Sequence, residues 1–365
     1  MSKRIICIVL IVLSLGLKAD ALEISAKSAI LYEPVTKTVI FEKNSQAKLP
    51  MASTTKIITA ITAIENGDFN EVVTTSKKAA DVEGSSIWLA EGEKQTLENL
   101  LYGLMLSSGN DAAIAIAEHI GGYDKFVEKM NELAKKAGAT STSLKNPSGL
   151  DEEGHYTCAL DMAKISAYAM KNHMFRKIVS TKEKVIPWEG HQWGRTLKNH
   201  NKMLRLYEGA EGIKTGFTKK DGRCLVTSAT KNGIRLICVT LNAPDDWNDH
   251  KKMLDMGFSL YKGEKITLEN KTAEVNRGEE TTITIMPEKD VVLPVKDGDN
   301  ISVKYNVMTK INAPVLSGEN KGFAEIYING VLMETVNYIA THFVKEVKTM
   351  TLKENLAKIL FCFLN

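Results

Sequence analysis

The sequence predicts a mixed α/β (α+β) fold: an antiparallel sheet flanked by helices, then a small all-β domain and a C-terminal amphipathic helix. Three observations predict it. Strand-like hydrophobic runs bracket a long stretch of helical periodicity between residues 28 and 241. From residue 264 the helical period disappears, and short β-rich runs alternate with turn signals. From Phe343 an apolar stripe at helical spacing returns, with lysines interspersed.

The elements follow in order. Lys3 and Arg4, the apolar run 5–17 and the triplet Ala19-Asp20-Ala21 read as a secretory signal over residues 1–21. The run is too short to span a bilayer, which takes about 20 residues. Residues 28–42 read as two strands around a turn. Over residues 51–66, Ile57, Ile58, Ile61 and Ile64 share one helical stripe. Residues 97–120 are again helical and apolar, interrupted at Ser107-Ser108-Gly109-Asn110. Residues 126–137 form an amphipathic helix ended by Gly138, and residues 159–171 a further helix. Strands return at 185–188, 225–229 and 236–241, the last two joined by the turn Asn232-Gly233. That register sets Cys224 opposite Leu241 and Cys238 opposite Thr227, on opposite faces, so the two thiols are not expected to pair.

Residues 264–342 hold the runs TTITIM, DVVLPV, ISVKYNV and AEIYINGVL between turn signals, as in a small β-sandwich. They carry no catalytic motif, which suits a spacer or docking domain. In residues 343–365, Leu352, Leu356, Ile359, Leu360 and Phe363 form a helical stripe among Lys345, Lys348, Lys353 and Lys358. The pattern alone fits either an interfacial membrane helix or a terminal helix packed on its own domain. The expected divisions are therefore 1–21, 22–263, 264–342 and 343–365.

Composition narrows the function. Of 365 residues, 44% are hydrophobic and 25% charged, as in an ordinary globular protein. The net charge of +3 drops to about +1 once residues 1–21 leave, so no nucleic-acid partner is expected. No Cys/His cluster has metal-ligand spacing, and neither a metal nor a cofactor is expected.

Three short strings carry chemistry: Ser53-Thr54-Thr55-Lys56, Ser108-Gly109-Asn110 and Lys214-Thr215-Gly216. Ser-X-X-Lys alone is cheap, for it recurs at Ser45, Ser228 and Ser259. The ordered combination is the specific signal. A serine hydroxyl is a poor nucleophile until a base takes its proton. Ser53 and Lys56 fall one helical turn apart on one face, so Lys56 can be that base if its amine is neutral. Lys214 is the candidate cation that would lower its pKa. Backbone N–H groups at the helix start favour developing negative charge. Ser108 is a candidate proton relay toward the leaving group, and Asn110 a candidate holder of a substrate amide. In the third string, Lys214 supplies positive field, Thr215 a hydroxyl donor and Gly216 room for a ligand beside the backbone.

With the surrounding stretches GSSIWLAEGEKQTLENLLYGLMLSSGNDAA, NPSGLDEEGHYTCALDMA and EGIKTGFTKKDGRCLVTSA, these strings resemble the D-alanyl-D-alanine carboxypeptidases, the low-molecular-mass penicillin-binding proteins. The resemblance covers most of residues 24–262, and less specifically the β-rich region and the terminal helix. It implies a penicillin-binding/β-lactamase-like catalytic domain with Ser53 as acylated nucleophile, Lys56 as base and Lys214 as electrostatic partner. It also implies an oxyanion hole from the N–H groups of Ser53 and Phe217, with Arg235 near the substrate's terminal carboxylate. The implied partners are peptidoglycan stem peptides, β-lactams as covalent inhibitors, and a membrane surface met by the terminal helix outside the cytoplasm. Rival readings are a β-lactamase using Glu152 or Glu153, a transpeptidase in which an amine replaces water, and a non-catalytic wall-binding protein. The intact motifs argue against the last.

Overall fold

The computed structural model describes residues 22–347. The signal reading of residues 1–21 and the stripe from Leu352 to Phe363 lie outside the described residues.

The first hairpin joins β1 (Ser28–Glu33) and β2 (Thr38–Lys43). A single 3-10 turn, Ala52–Thr55, leads into α1 (Lys56–Asn66). The small pair β3 (Val72–Thr74) and β4 (Lys94–Thr96) encloses α2 (Lys77–Ala80). A helical block follows: α3 (Leu97–Leu106), α4 (Asn110–His119), α5 (Tyr123–Lys136), α6 (Ala159–Ala169) and α7 (His173–Ser180). Local chemistry sets its boundaries. The side chains of Thr96 and Asn172 accept the N–H groups of Asn99 and Phe175, capping α3 and α7. The pair β5 (Glu183–Ile186) and β6 (Arg195–Lys198) precedes the short α8 (Met203–Leu206). Then come β7 (Ala210–Thr218), β8 (Gly222–Lys231), β9 (Ile234–Leu241) and α9 (Asp246–Leu260).

These strands make one antiparallel sheet in the order β2-β1-β9-β8-β7. Alternation along each strand divides the core between its two faces. Ile30, Val226, Ile237 and Val239 pack against the helical block. Leu31, Leu225, Leu236 and Cys238 pack on the other face with Met253 and Leu254 of α9. Cys224 and Cys238 fall in opposite layers, and Thr227 pairs with Cys238 as the turn register required. Both thiols are free.

Among the departures from the sequence reading, two concern the elements around the cleft. Lys214-Thr215-Gly216, expected ahead of a strand, lies within β7, the sheet's edge. The helix α9 carries no apolar stripe in the sequence. Its buried positions are Asp246, Asp249, His250, Met253, Leu254 and Gly257, so two aspartates, a histidine and a glycine stand where apolar side chains would have marked the stripe.

The chain then builds β10 (Lys262–Ile266), β11 (Lys271–Asn276), β12 (Thr282–Pro287), β13 (Val291–Val295), β14 (Ile301–Val307), β15 (Lys310–Asn312), β16 (Asn320–Ile328) and β17 (Val331–Ala340). Six strands run in the order β14-β16-β17-β12-β11-β15, while β10 pairs with β13. Val291, Leu293 and Ile266 of the pair pack on Ile326, Ile328 and Val336 of the larger sheet, face to face. The helix expected from Phe343 does not begin there. Val344 is buried and exchanges backbone hydrogen bonds with Val315 (both 2.9 Å), and Glu346 bridges Gly278. Burial of Val344 in this β-rich core holds residues 343–347 extended.

Candidate active site

The site forms where the 3-10 turn, the loop between α3 and α4, and the edge strand β7 converge. Ser53 sits on the turn at the mouth of a cleft of about 320 Å³, whose walls include Ser108, His200, Thr215, Gly216 and Phe217. Three anchors hold the turn. Ala52 adopts φ +46, uncommon for a residue with a side chain, and its N–H donates to Asp221 Oδ2 at 3.0 Å. Thr55 Oγ1 donates to Ala52 O (2.8 Å) and meets His155 Nε2 (2.9 Å). His155 Nδ1 accepts the Lys145 N–H at 3.0 Å, so the ring proton is on Nε2 and points at Thr55. Burial pushes His155 down to about 4, which keeps it neutral in that role. Gly149, at φ +86, backs the turn so closely that a Cβ there would meet Ala52 O at 2.0 Å.

Lys56 is fully buried beneath Ser53. Its Nζ lies 3.1 Å from Ser53 Oγ, 2.7 Å from Asn110 Oδ1 and 2.5 Å from Ser148 O. A neutral amine offers two N–H donors and one lone pair. Asn110 Oδ1 and Ser148 O can only accept, so the lone pair is left for the one partner that can donate, the Ser53 hydroxyl. Burial first, and then the charge of Lys214, hold Lys56 well below the usual lysine range, against a weaker opposing pull from Asp111. Lys214 is equally buried, and its Nζ donates to Thr215 O at 2.9 Å. Desolvation brings it down to about 7. The arrangement therefore favours a neutral amine beside the hydroxyl and a second amine that titrates near neutrality.

The second motif is positioned by Asp111. Its carboxylate accepts from Ser86 Oγ (2.6 Å), Ile87 N (3.0 Å), Leu89 N (3.1 Å) and Ala112 N (2.8 Å), which fixes the loop between α2 and β4 against α4. Ser108 sits at φ +62 and lines the cleft. Asn110 does not line it. Its Oδ1 accepts from Lys56 Nζ, and its Nδ2 donates one of its two N–H groups to Glu83 O at 2.6 Å. The contact with Lys56 Nζ at 2.7 Å also ties Asn110 to the amine beside Ser53.

On β7, Gly216 runs so close to the turn that a Cβ would lie 3.0 Å from Ser53 N. The backbone of this edge strand thus borders the cleft beside the Ser53 N–H. Phe217 follows, with its side chain 66% exposed. Arg235 is not brought to the site. It pairs across the sheet with Thr230, five residues from the level of Thr215, roughly 17 Å at about 3.4 Å per residue. There its guanidinium binds Glu211 at 2.9 and 3.2 Å. Two cations line the cleft, Lys202 and Arg223; Arg223 is held by Asp246 Oδ1 at 2.8 and 3.0 Å with its guanidinium 5.5 Å from the Trp247 ring centre. The sequence held a signal for it: Arg223 lies one residue past Gly222 and pairs with Phe217 across the β7–β8 turn. His200 and Ser148 join the site from loops and Trp247 from the first turn of α9, all outside the three short strings.

The comparisons agree with this geometry. The family model described as D-alanyl-D-alanine carboxypeptidase matches residues 16–245, and one described as penicillin-binding protein 5, C-terminal domain, matches residues 258–346. The D-alanyl-D-alanine carboxypeptidase DacF of Bacillus subtilis is 37% identical over 322 residues, 84% of this chain and 82% of that protein. Penicillin-binding protein 5 from Haemophilus influenzae superposes with a TM-score of 0.66 at 26% identity, over 89% of this chain and 98% of that one. A DD-transpeptidase of Streptomyces gives 0.63 at 33% identity, over 65% and 99%. With its motif serine above a buried lysine and a second lysine on the edge strand, the chain belongs to the D-alanyl-D-alanine carboxypeptidase family.

Proposed function

We propose that the protein is a serine-type D-Ala–D-Ala carboxypeptidase that removes the terminal D-alanine from peptidoglycan stem peptides through an acyl-enzyme on Ser53. The observation that carries this is the Lys56 amine 3.1 Å from Ser53 Oγ with its other two contacts both acceptors. Ser53 Oγ attacks the penultimate carbonyl carbon as its proton passes to Lys56. The N–H groups of Ser53 and Phe217 take the oxyanion, and Lys214 adds positive field. Ser108 relays the proton to the departing D-alanine amine. Water then attacks the Ser53 ester, releasing the shortened peptide and restoring the hydroxyl. Arg223, with Thr215, meets the terminal carboxylate in place of Arg235. β-Lactams acylate the same serine. The β-lactamase rival needs a glutamate near the ester. Glu152 instead accepts from Asn146 Nδ2 at 2.9 Å, and neither it nor Glu153 lines the cleft.

Residues 22–263 form the proposed peptidase domain and 264–342 the β-rich domain, a division supported by the two family matches. Residues 1–21 are the proposed export signal, and the stripe from Leu352 to Phe363 supports membrane association. No helix among the described residues is long and apolar enough to cross a membrane. Loss of vesicle co-sedimentation on truncation after Val347 checks the tail, and N-terminal sequencing of the mature protein checks the signal.

The test of the reaction combines two measurements. Labelled penicillin should modify the peptide carrying Ser53, and a stem pentapeptide should lose one D-alanine; Ser53→Ala should abolish both. Arg223→Ala should lower kcat/KM at least tenfold on the free-carboxylate peptide and change little on its C-terminal amide, as expected for a lost charge-assisted contact. Label on Ser108, or penicillin turnover without D-alanine release, overturns the assignment.

A further inference from the structure

All four tryptophans of the chain face three adjoining hollows on one side of the molecule. Trp247 lies in the Ser53 cleft. Ser85 and His200 line both that cleft and a second hollow, which holds Trp88 and Lys198. Arg195 links the second hollow to a third: buried on Glu93 at 2.8 and 3.0 Å, it donates to Trp88 O at 3.0 Å and lies 4.8 Å from the Trp188 ring centre. The third hollow, about 560 Å³, is formed by the loop between β5 and β6 and carries Trp188 and Trp193.

Two features mark this surface as built for a ligand. Trp88 is 76% exposed and Trp193 64%, which leaves the two largest apolar side-chain faces in solvent. Trp88 is also held there under strain. It adopts φ +64, unusual for a bulky residue, and Asp111 pins the backbone on both sides of it while Ser86 Oγ accepts its N–H at 2.8 Å. The lining of the third hollow is amphipathic: Glu189, His191 and Gln192 flank the indoles, with no leucine, isoleucine, valine or phenylalanine among them. Tryptophan also serves at membrane interfaces, but a patch that inserts into the acyl region needs aliphatic groups beside it. A pyranose ring does not. Its C–H face stacks on an indole while its hydroxyls and acetamido groups reach carboxylate, amide and imidazole partners at the rim.

We propose that Trp88, Trp188 and Trp193 form a binding face for the amino-sugar strand to which the stem peptide is attached. The inference rests on the reading of the Ser53 cleft as the stem-peptide site, because continuity with that cleft brings the sugar polymer here. The protein accordingly prefers polymer-linked pentapeptide over free pentapeptide.

The test uses the full chain carrying Trp88→Ala and Trp193→Ala together. Penicillin acylation at Ser53 and D-alanine release from free pentapeptide should stay within about twofold of the parent. On pentapeptide-bearing insoluble peptidoglycan, KM should rise at least tenfold with kcat little changed, and co-sedimentation with that material should be lost. Replacing both tryptophans by phenylalanine should restore most of the binding, since a phenyl face still stacks. Unchanged KM and co-sedimentation on the polymer overturn the proposal. So does loss of binding to anionic phospholipid vesicles with peptidoglycan binding intact, which would make the face a membrane contact. Absence of D-alanine release from free pentapeptide by the parent would instead count against the reading of the Ser53 cleft, a separate failure.

Discussion

Lys56→Ala is expected to lower the rate constant for penicillin acylation at Ser53 by roughly three orders of magnitude or more, as loss of a positioned base does. No other described base touches the hydroxyl; the next amine, Lys214, donates to Thr215 O. The pH profile of the parent should carry the signature of the pair. Acylation rises with pH while Lys56 loses its proton, and falls as pH passes through about 7, where Lys214 loses its charge. Lys214→Arg should keep the charge at higher pH and displace the falling limb upward. The two amines also link to stability with a definite sign. Both are depressed in the fold, so at low pH the folded state bears the cost of burying their charge. For Lys214 that cost is relieved as pH rises from about 7 toward the unfolded lysine value near 10.4. A flat acylation profile between pH 6 and 9 would remove Lys214 from the charge-setting role.

Gly149→Ala is expected to damage both stability and acylation, because no shift of a flexible side chain can relieve it. A Cβ would meet Ala52 O at 2.0 Å and Ala52 C at 2.6 Å, and the φ of +86 is itself unfavourable for alanine. Backbone strain and displacement of the turn together should cost roughly 2–4 kcal/mol. For a domain spanning residues 22–263 that lowers Tm by about 4–8 °C. Acylation should fall at least tenfold, since moving the nucleophile by about 1 Å is enough for a larger loss. Gly92→Ala is the control. Its φ is +82, yet nothing lies within 4 Å of the added Cβ, so it should cost only about 1 kcal/mol and leave acylation unchanged. Equal effects at the two glycines would show that the Ala52 contact contributes nothing.

The sequence by itself determined the fold class and most of its parts. The stripe of Ile57, Ile58 and Ile61, the apolar stretch broken at Ser108, and the Asn232-Gly233 turn each carry a local physical signal, and each lies where that signal put it. Ser53 and Lys56 could be paired from sequence because one helical turn sets their separation. What only the tertiary structure decided are contacts between segments far apart in the chain. Arg223 and Arg235 lie on neighbouring strands with similar local surroundings, and only the register of the sheet tells which reaches the cleft. That Asn110 bonds Lys56 and the carbonyl of Glu83 likewise shows only in the folded molecule. The helix α9 escaped notice because a histidine bonded to two threonine hydroxyls and a glycine packed on Leu31 and Leu236 replace the apolar residues that periodicity detects. Hydrophobic period and turn chemistry act within a few residues and can be read along the chain. The partner of a buried charge or amide is chosen by packing across tens to hundreds of residues, and only the folded molecule reveals it.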